Sequence, residues 1–114
     1  MLFSPLTPAR LPGAQLKPDH AAAQQVGRVA VGQLAMYYKK AFMMGYLPYS
    51  AIRHAWVREE HIPMPGKMEL IQYYVLAEDG DQNVSWFGVP SEDDGKQVLD
   101  HIARQNPSVI LGMP

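Results

Sequence analysis

Prolines and glycines divide this chain into short segments. Ten prolines and nine glycines occur in 114 residues, and proline fixes φ and lacks the N–H that helix interiors and central strands need. Four of the prolines lie in Met1–Pro18, which predicts an extended arm whose leucines and Phe3 dock in part on the domain. Most of the other prolines mark strand ends, loops and a helix stop, so short strands are expected.

Length and composition limit the chain to one domain. A chain of 114 residues has room for a single core, which we place in residues 19–114, after the arm at residues 1–18. The net charge of −1 argues against nucleic-acid binding. Because there is no cysteine, disulfides, thiolate nucleophiles, zinc ribbons and iron–sulfur clusters are excluded.

The sequence predicts no integral membrane segment. No run approaches the roughly 18 apolar residues that a membrane-spanning helix needs. Met1–Gly13 lacks the apolar core of a signal peptide, since three prolines and Arg10 interrupt it. The expected location is therefore cytoplasmic.

Hydrophobic patterning predicts a short helix followed by five strands. Proline and alanines favour a helix over Asp19–Val26. The strands are expected at Val29–Tyr38, Ala41–Tyr49, Ala51–Glu60, Met68–Ala77 and Asn83–Val89. The connections between them are predicted as a turn at Lys39–Lys40, a loop over His61–Gly66 and a type I′ turn at Asp79–Gly80. Gly45 indicates a bulge or a close backbone approach.

The last helix has the clearest signature. Ser91 is a good N-cap, Asp94 follows three residues later as in a capping box, and an apolar stripe continues at helical spacing. Because Pro107 prevents continuation, a helix is predicted over Glu92–Gln105. The apolar tail Ser108–Pro114 can add a last extended pairing. Since consecutive strands joined by short turns are antiparallel, the predicted class is α+β, with a curved antiparallel sheet or partly open barrel capped by this helix.

The chain resembles a family of small bacterial domains with a pleckstrin-homology-like (PH-like) fold. The segments that carry the likeness are Val31–Tyr38, Tyr46–Ile52, Trp56, the hairpin Leu70–Trp86 and the helix end Asn106–Pro107. The resemblance covers about Val29–Gly112. It implies a curved antiparallel sheet with a C-terminal capping helix, and it implies no catalytic residue because the family is largely uncharacterised.

No catalytic, cofactor or metal motif stands out. The histidines lack the short spacings of zinc ligands; they are His20, His54, His61 and His101. Three carboxylate groups have structural explanations: Glu59 and Glu60 on opposite strand faces, Glu92–Asp94 in helix capping, and Asp79 with Asp81 in a turn. No serine has a nucleophile setting, and glycine-rich phosphate and dinucleotide motifs are missing.

Binding candidates are therefore basic or aromatic. They are Lys39, Lys40, Arg53, Arg58, Tyr46 and Tyr49. The cations are more readily explained as a solvated turn than as a lipid-phosphate site. Because neighbouring tyrosines on a strand face opposite sides, one each of Tyr37–Tyr38 and Tyr73–Tyr74 is expected outward. Further candidates for an exposed partner surface are Met43, Met44, Met64 and Met68.

The expected function is a non-enzymatic interaction or scaffold domain that binds a protein or peptide, a second copy of itself included. The contact is expected at an exposed strand edge or in the groove between the sheet and the C-terminal helix, and strand addition is the physically simplest mode for such an edge. The alternative is a small-ligand or lipid-headgroup binding module with, at most, peripheral lipid contact.

Overall fold

The structure, a computed structural model, describes residues 2–113. Among these residues the helices are α1 (Gly13–Ala21) and α2 (Glu92–Gln105), with 3-10 turns at Tyr49–Ala51 and Pro65–Lys67. The strands are β1 (Leu2–Pro5), β2 (Gln24–Val26), β3 (Val29–Val31), β4 (Ala35–Lys40), β5 (Met43–Pro48), β6 (His54–Met64), β7 (Met68–Glu78), β8 (Val84–Val89) and β9 (Ile110–Leu111).

The strands form two sheets. One has the order β1-β5-β4-β3-β2 and the other β8-β7-β6-β9. Neighbours are antiparallel except β1 with β5 and β6 with β9, which are parallel. Both sheets are open. The α+β class is thus confirmed, but two sheets take the place of the single curved sheet that was expected.

The main core lies between the first sheet, the inner face of the second sheet and α2. Its fully buried side chains come from all three, and Met36, Phe87 and Ile102 are examples. Gly95 lets α2 approach β6 closely, because a Cβ there would lie 2.9 Å from a methyl group of Val57. A smaller cluster holds α1 against the other face of the first sheet.

The C-terminal helix has the predicted bounds. The Ser91 Oγ accepts the N–H of Asp94 at 3.1 Å and donates to the Asp94 carboxylate at 2.8 Å. At the other end, the Asn106 side-chain amide donates to the carbonyls of Tyr49 and Ile52 at 2.8 and 2.9 Å. The helix is therefore capped at its start and fastened to the 3-10 turn at its end. The tail forms β9, as anticipated, with Pro114 outside the described residues.

The N-terminal helix prediction was wrong. The helix runs over Gly13–Ala21 rather than Asp19–Val26, and Pro18 lies inside it. The Asp19 carboxylate is not a helix cap, because it accepts the N–H groups of Gln33 and Leu34. Gln24–Val26, predicted as the end of the helix, is a strand. Because α1 begins at Gly13, only the first part of the arm is extended. Met1 lies outside the described residues.

The predicted docking of the arm is largely observed. Leu16 is buried, while Phe3, Leu6 and Leu11 pack against the two clusters. Leu2, in contrast, is 70% exposed. The arm thus forms part of the sheet and the smaller cluster.

The long strand predicted over Val29–Tyr38 is two strands. A turn interrupts it at Gly32, where an added Cβ would collide with the Asp19 carboxylate. Nor do Lys39 and Lys40 form the following turn, because both end β4 and the chain reverses at Ala41 with φ 49°.

The predicted loop over His61–Gly66 is also wrong over its first four residues, since β6 continues to Met64. Pro63 is compatible with this strand because, among the described residues, no strand pairs with the outer side of β6 at that position. The reversal itself is at Pro65–Lys67, where Gly66 has φ 81°.

The hairpin between β7 and β8 lies where it was predicted, and β7 is central between β6 and β8. Its turn is not type I′, because the positive φ of this loop belongs to Gln82 rather than to Asp79 and Gly80. The buried Asp79 carboxylate holds a longer loop by accepting the N–H groups of Asp81 and Asn83, both at 2.9 Å. The close approach expected at Gly45 is present, since a Cβ there would lie 2.8 Å from Leu6.

Candidate interaction surface

The structure separates the four cationic candidates. Lys39 and Lys40 are exposed at the end of β4, in the first sheet. Arg53 precedes β6 and lies beside Gly80. Arg58 forms an ion pair with Glu60 at 2.8 Å and stacks over the indole of Trp86, 5.4 Å from the ring centre. These side chains therefore do not converge on one anion.

The two tyrosine candidates are both buried. The Tyr49 hydroxyl donates to the carbonyl of Gly32 at 2.9 Å, and the Tyr46 hydroxyl accepts the N–H of Leu11 at 3.2 Å. Burial raises the pKa of Tyr49 well above its ordinary value, with the charge of Asp19 adding to the effect. Both hydroxyls are therefore used within the domain.

The four histidines lie apart. His20 packs edge-on against Tyr37, His101 contacts the carbonyl of Gly32, and His54 lies 3.6 Å from Glu78. Within residues 2–113, no group of three histidine or carboxylate side chains is arranged so that it could hold a metal ion.

One end of the β6–β7 hairpin extends beyond its neighbour strands. β8 pairs with β7 only as far as Val89, which lies opposite Tyr73. β6 and β7 continue in register from Glu60–Gln72 to the last pair, Met64–Met68. We call this outer part, residues 60–64 and 68–72, the ribbon. Among the described residues, no strand flanks it on either side.

The free edge of the ribbon on β7 offers unpaired backbone groups. At the loop beyond β7, the N–H of Asp79 donates to the carbonyl of Asn83 at 3.1 Å, on the β8 side. The register of β7 is unbroken and backbone direction alternates with period two, so odd-numbered residues of β7 all face that side. In the ribbon these are Glu69 and Ile71, whose N–H and C=O groups point outward.

The opposite edge, on β6, is blunted. The carbonyl of Ala55 accepts the N–H of Gly112 at 2.9 Å, so odd-numbered residues of β6 face outward. Pro63 is one of them and has no N–H to offer. Proline at such a position is a common protection against unwanted strand pairing, which leaves the β7 edge as the better template.

A notch of about 300 Å³ adjoins the free β7 edge. It opens where β8 ends, because Pro90 turns the chain away into α2. Ile71 and Tyr73 line one side of the notch, and Arg28 lines it from the first sheet. An added strand would thus pair with β7 in line with β8, beyond the point where β8 ends.

The outer face of the ribbon is apolar towards its tip, beyond the pair Glu60–Gln72. Ile62 pairs with Leu70, and Met64 with Met68; their exposed fractions are 39, 42, 45 and 70% respectively. On the same face, further along the sheet, Trp86 is 44% exposed. Contiguous apolar surface of this kind marks interaction sites in soluble domains.

The inner face of the ribbon carries a charged cluster. The His61 imidazole lies 3.0 Å from the Glu69 carboxylate and 2.7 Å from that of Glu59, which also accepts the Tyr73 hydroxyl. These carboxylates raise the pKa of His61 to about 9, with Glu69 contributing most, and His61 in turn lowers the pKa of Glu59. Glu60 instead points to the other face, as predicted from the strand alternation. At neutral pH the imidazolium therefore offsets the adjacent carboxylates.

The β4–β5 hairpin presents a second exposed surface. Phe42, at its tip, is 97% exposed, and Met43 beside it is 44% exposed. Lys39, Ala41 and Arg28 line an open depression next to this tip. An aromatic side chain so fully exposed contributes nothing to the core.

No protein-family model matches the chain, and neither the curated proteins nor the solved structures yield a match. Among the described residues, no helix combines the length and apolarity needed to cross a membrane.

Sequence reasoning missed the free edge at Glu69 and Ile71. The signal was present in the strand lengths, because the Met68–Ala77 strand outruns its partner once Pro90 ends the latter. Arg28 carried no local signal, since tertiary packing alone brings it to the notch.

Proposed function

We propose that the chain is a non-enzymatic protein-interaction module that binds an extended segment by strand addition at the β7 edge of the ribbon. The observation that carries this proposal is the outward direction of the N–H and C=O groups of Glu69 and Ile71, beside an unfilled notch. Strand addition supplies these groups with partners and requires no other pocket.

Side chains supply the specificity of this mode. The partner's alternate residues would contact the apolar outer face at Leu70 and Met68, and the charged inner face at Glu69. Because the backbone groups provide most of the affinity and the faces provide the selection, a segment with apolar residues at every second position is the expected ligand.

We further propose that the domain has a PH-like fold. The packing of α2 over the inner face of β6, β7 and β8 supports it, since that fold implies a C-terminal helix capping a curved antiparallel sheet. In this arrangement α2 covers the inner face of the sheet and leaves the β7 edge of the ribbon accessible.

The experiment uses a photoreactive phenylalanine analogue placed at Gln72 in the native cell. We expect covalent adducts that disappear in the Ile71→Pro variant, which lacks the outward N–H, and persist in Ile71→Thr, which retains it. The same probe at Glu60, the register partner of Gln72, serves as the matched control and should give few adducts. Adducts insensitive to Ile71→Pro would contradict strand addition.

Lipid-headgroup binding is the second candidate, favoured by the tip at Phe42. An exposed aromatic side chain flanked by Lys39 and Lys40 suits an anionic membrane surface, although the net charge of −1 opposes it. Vesicles with and without phosphatidylserine test this: the candidate predicts charge-dependent binding that Phe42→Ser and the double Lys39→Gln, Lys40→Gln variant both weaken. Equal binding of all variants would exclude it.

A further inference from the structure

The free edge of β7 is self-complementary. It comprises Met68–Gln72, bounded at one end by Lys67, where φ is 63°, and at the other by β8 opposite Tyr73. Leu70 lies at its centre. Glu69 and Ile71, the two residues whose backbone groups face outward, flank that centre symmetrically.

We propose that the strand added to this edge is the same segment of a second copy, paired antiparallel about a two-fold axis at Leu70; this rests on the proposed function. In this register Glu69 faces Ile71 of the second copy, and the two residues exchange both backbone hydrogen bonds, as a bonded antiparallel pair does. The symmetry repeats the exchange on the other side of the axis.

The ends of the segment favour a second copy over an unrelated strand. A longer strand entering along β7 meets β8 and Pro90 at Tyr73. The segment of a second copy has the same length and is bounded in the same way at both ends. The outward backbone groups of both segments can therefore all find partners. An isologous contact of this kind is the commonest way for identical chains to associate.

Side chains on both faces fit this register. On the outer face, Leu70 of each copy meets the other in the close, non-bonded position, and Met68 lies opposite Gln72. On the inner face, Glu69 of the second copy lies opposite Ile71, on the notch that Arg28 also lines. Arg28 forms no ion pair with a described residue of its own chain within 4.0 Å, so the pairing brings complementary charges together.

The pairing is expected to be weak. Interfaces burying less than about 1,200 Å² in total belong to transient assemblies, and a segment this short, even with the outer face, lies in that class. A covalent trap is therefore better suited than a simple mass measurement.

The chain has no cysteine, so single engineered cysteines report contacts cleanly. At a non-bonded antiparallel position the two Cα atoms lie about 4.5 Å apart, within disulfide range. We expect purified Leu70→Cys to form a disulfide-linked dimer at least about tenfold faster than Phe42→Cys, because pairing raises the effective concentration. The control site is the more exposed of the two. Adding Ile71→Pro to Leu70→Cys should abolish the advantage.

The register of the pairing is tested by mixing two single-cysteine variants. Met68→Cys and Gln72→Cys should each link poorly alone and link readily when combined, because the two-fold axis places one opposite the other. Leu70→Cys linking no faster than Phe42→Cys, or Met68→Cys linking to itself, would overturn the proposal. If purified chains fail to link while native-cell adducts at Gln72 still depend on Ile71, strand addition stands and only the second copy is excluded.

Discussion

The two halves of the β6–β7 hairpin differ in what covers them. In the half next to α2, Val75 and Leu76 point to opposite faces and are exposed by 0 and 2%. In the ribbon, Leu70 and Ile71 also point to opposite faces, yet are exposed by 42 and 45%. The same strand carries aliphatic residues on both faces throughout.

The difference shows that burial here depends on neighbours rather than on strand composition. β8 pairs with β7 along the inner half, and α2 packs against the inner face of β6 and β7, whereas among the described residues no strand lies beside the ribbon. Under the proposed strand addition, the partner supplies the cover that the ribbon lacks. The following variants separate the two halves, starting with the largest expected effect.

Leucines at two positions on the same face of β7 provide the strongest contrast. Leu76→Ala should lower the free energy of unfolding by about 2–5 kcal/mol, as removal of a buried leucine does, because a cavity is left. Leu70→Ala should lower it by less than about 1 kcal/mol in dilute solution, where the side chain is half exposed. Urea denaturation followed by tryptophan fluorescence measures both. Similar losses for the two variants would remove the distinction between the halves.

The loop at the inner end of the hairpin provides the next test. Asp79→Ala should lower the free energy of unfolding by about 1–3 kcal/mol, since the loop loses the charged acceptor that holds the N–H groups of Asp81 and Asn83. Burial opposes ionisation of Asp79, but the hydrogen bonds from Asn83 and Asp81 together lower its pKa. A lowered pKa in the folded chain means that this stability is present above the ordinary value of 3.8 and is lost as pH falls further.

The measurement is denaturant unfolding at neutral pH and near pH 3. The stability gap between the parent chain and Asp79→Ala should narrow at the acidic pH, while Asp81→Ala, which removes an exposed carboxylate, should behave like the parent. A gap that widens on acidification would contradict the assigned hydrogen bonds.

A variant at the N-cap of α2 tests the stability of the helix that packs on the inner half of the hairpin. Ser91→Ala should cost about 1 kcal/mol, because the N–H of Asp94 loses its acceptor at the start of α2. Ser108→Ala is the matched control, since that hydroxyl caps no helix. Thermal unfolding measured by circular dichroism compares them, and equal melting temperatures for the two variants would show that the cap contributes nothing.

The smallest expected effect on stability comes from the charged cluster on the inner face of the ribbon. The carboxylates of Glu69 and Glu59 raise the pKa of His61 from 6.5 to about 9. The stabilisation of the folded chain by the charged imidazole is therefore complete below about pH 6.5 and is lost as pH rises through about 9. NMR titration of the imidazole should show it still protonated at pH 8, and Glu69→Gln should lower its pKa. An unshifted titration near 6.5 would contradict the cluster.

The sequence predicted the parts of the fold whose signals are local. The capped helix from Ser91, the central strand from Met68 and its partner strand all follow from turn chemistry and periodicity. The failures involve contacts distant in sequence: Asp19 was assigned to a helix start because its bonds to Gln33 and Leu34 were invisible, and the same contact splits the strand after Val31.

The candidate surface was less predictable for the same reason. Pro63 indicates a loop when only its missing N–H is considered, whereas in the fold it faces away from β7 and costs no ladder hydrogen bond. Lys39, Lys40, Arg53 and Arg58 attract attention as charges, yet the fold distributes them over two sheets. A free strand edge has no residue signature of its own, because it depends on where the neighbouring strand stops.

Amide hydrogen exchange along the ribbon tests whether the β7 edge is free and used for pairing. In dilute solution the N–H groups of Leu70 and Gln72, which face β6, should be protected, and those of Glu69 and Ile71 should exchange freely. At high protein concentration Glu69 and Ile71 should gain protection, and Ile71→Pro should prevent the gain at Glu69. Protection of Glu69 and Ile71 that is already complete in dilute solution, or that never rises with concentration, would contradict a free edge that pairs with a second copy.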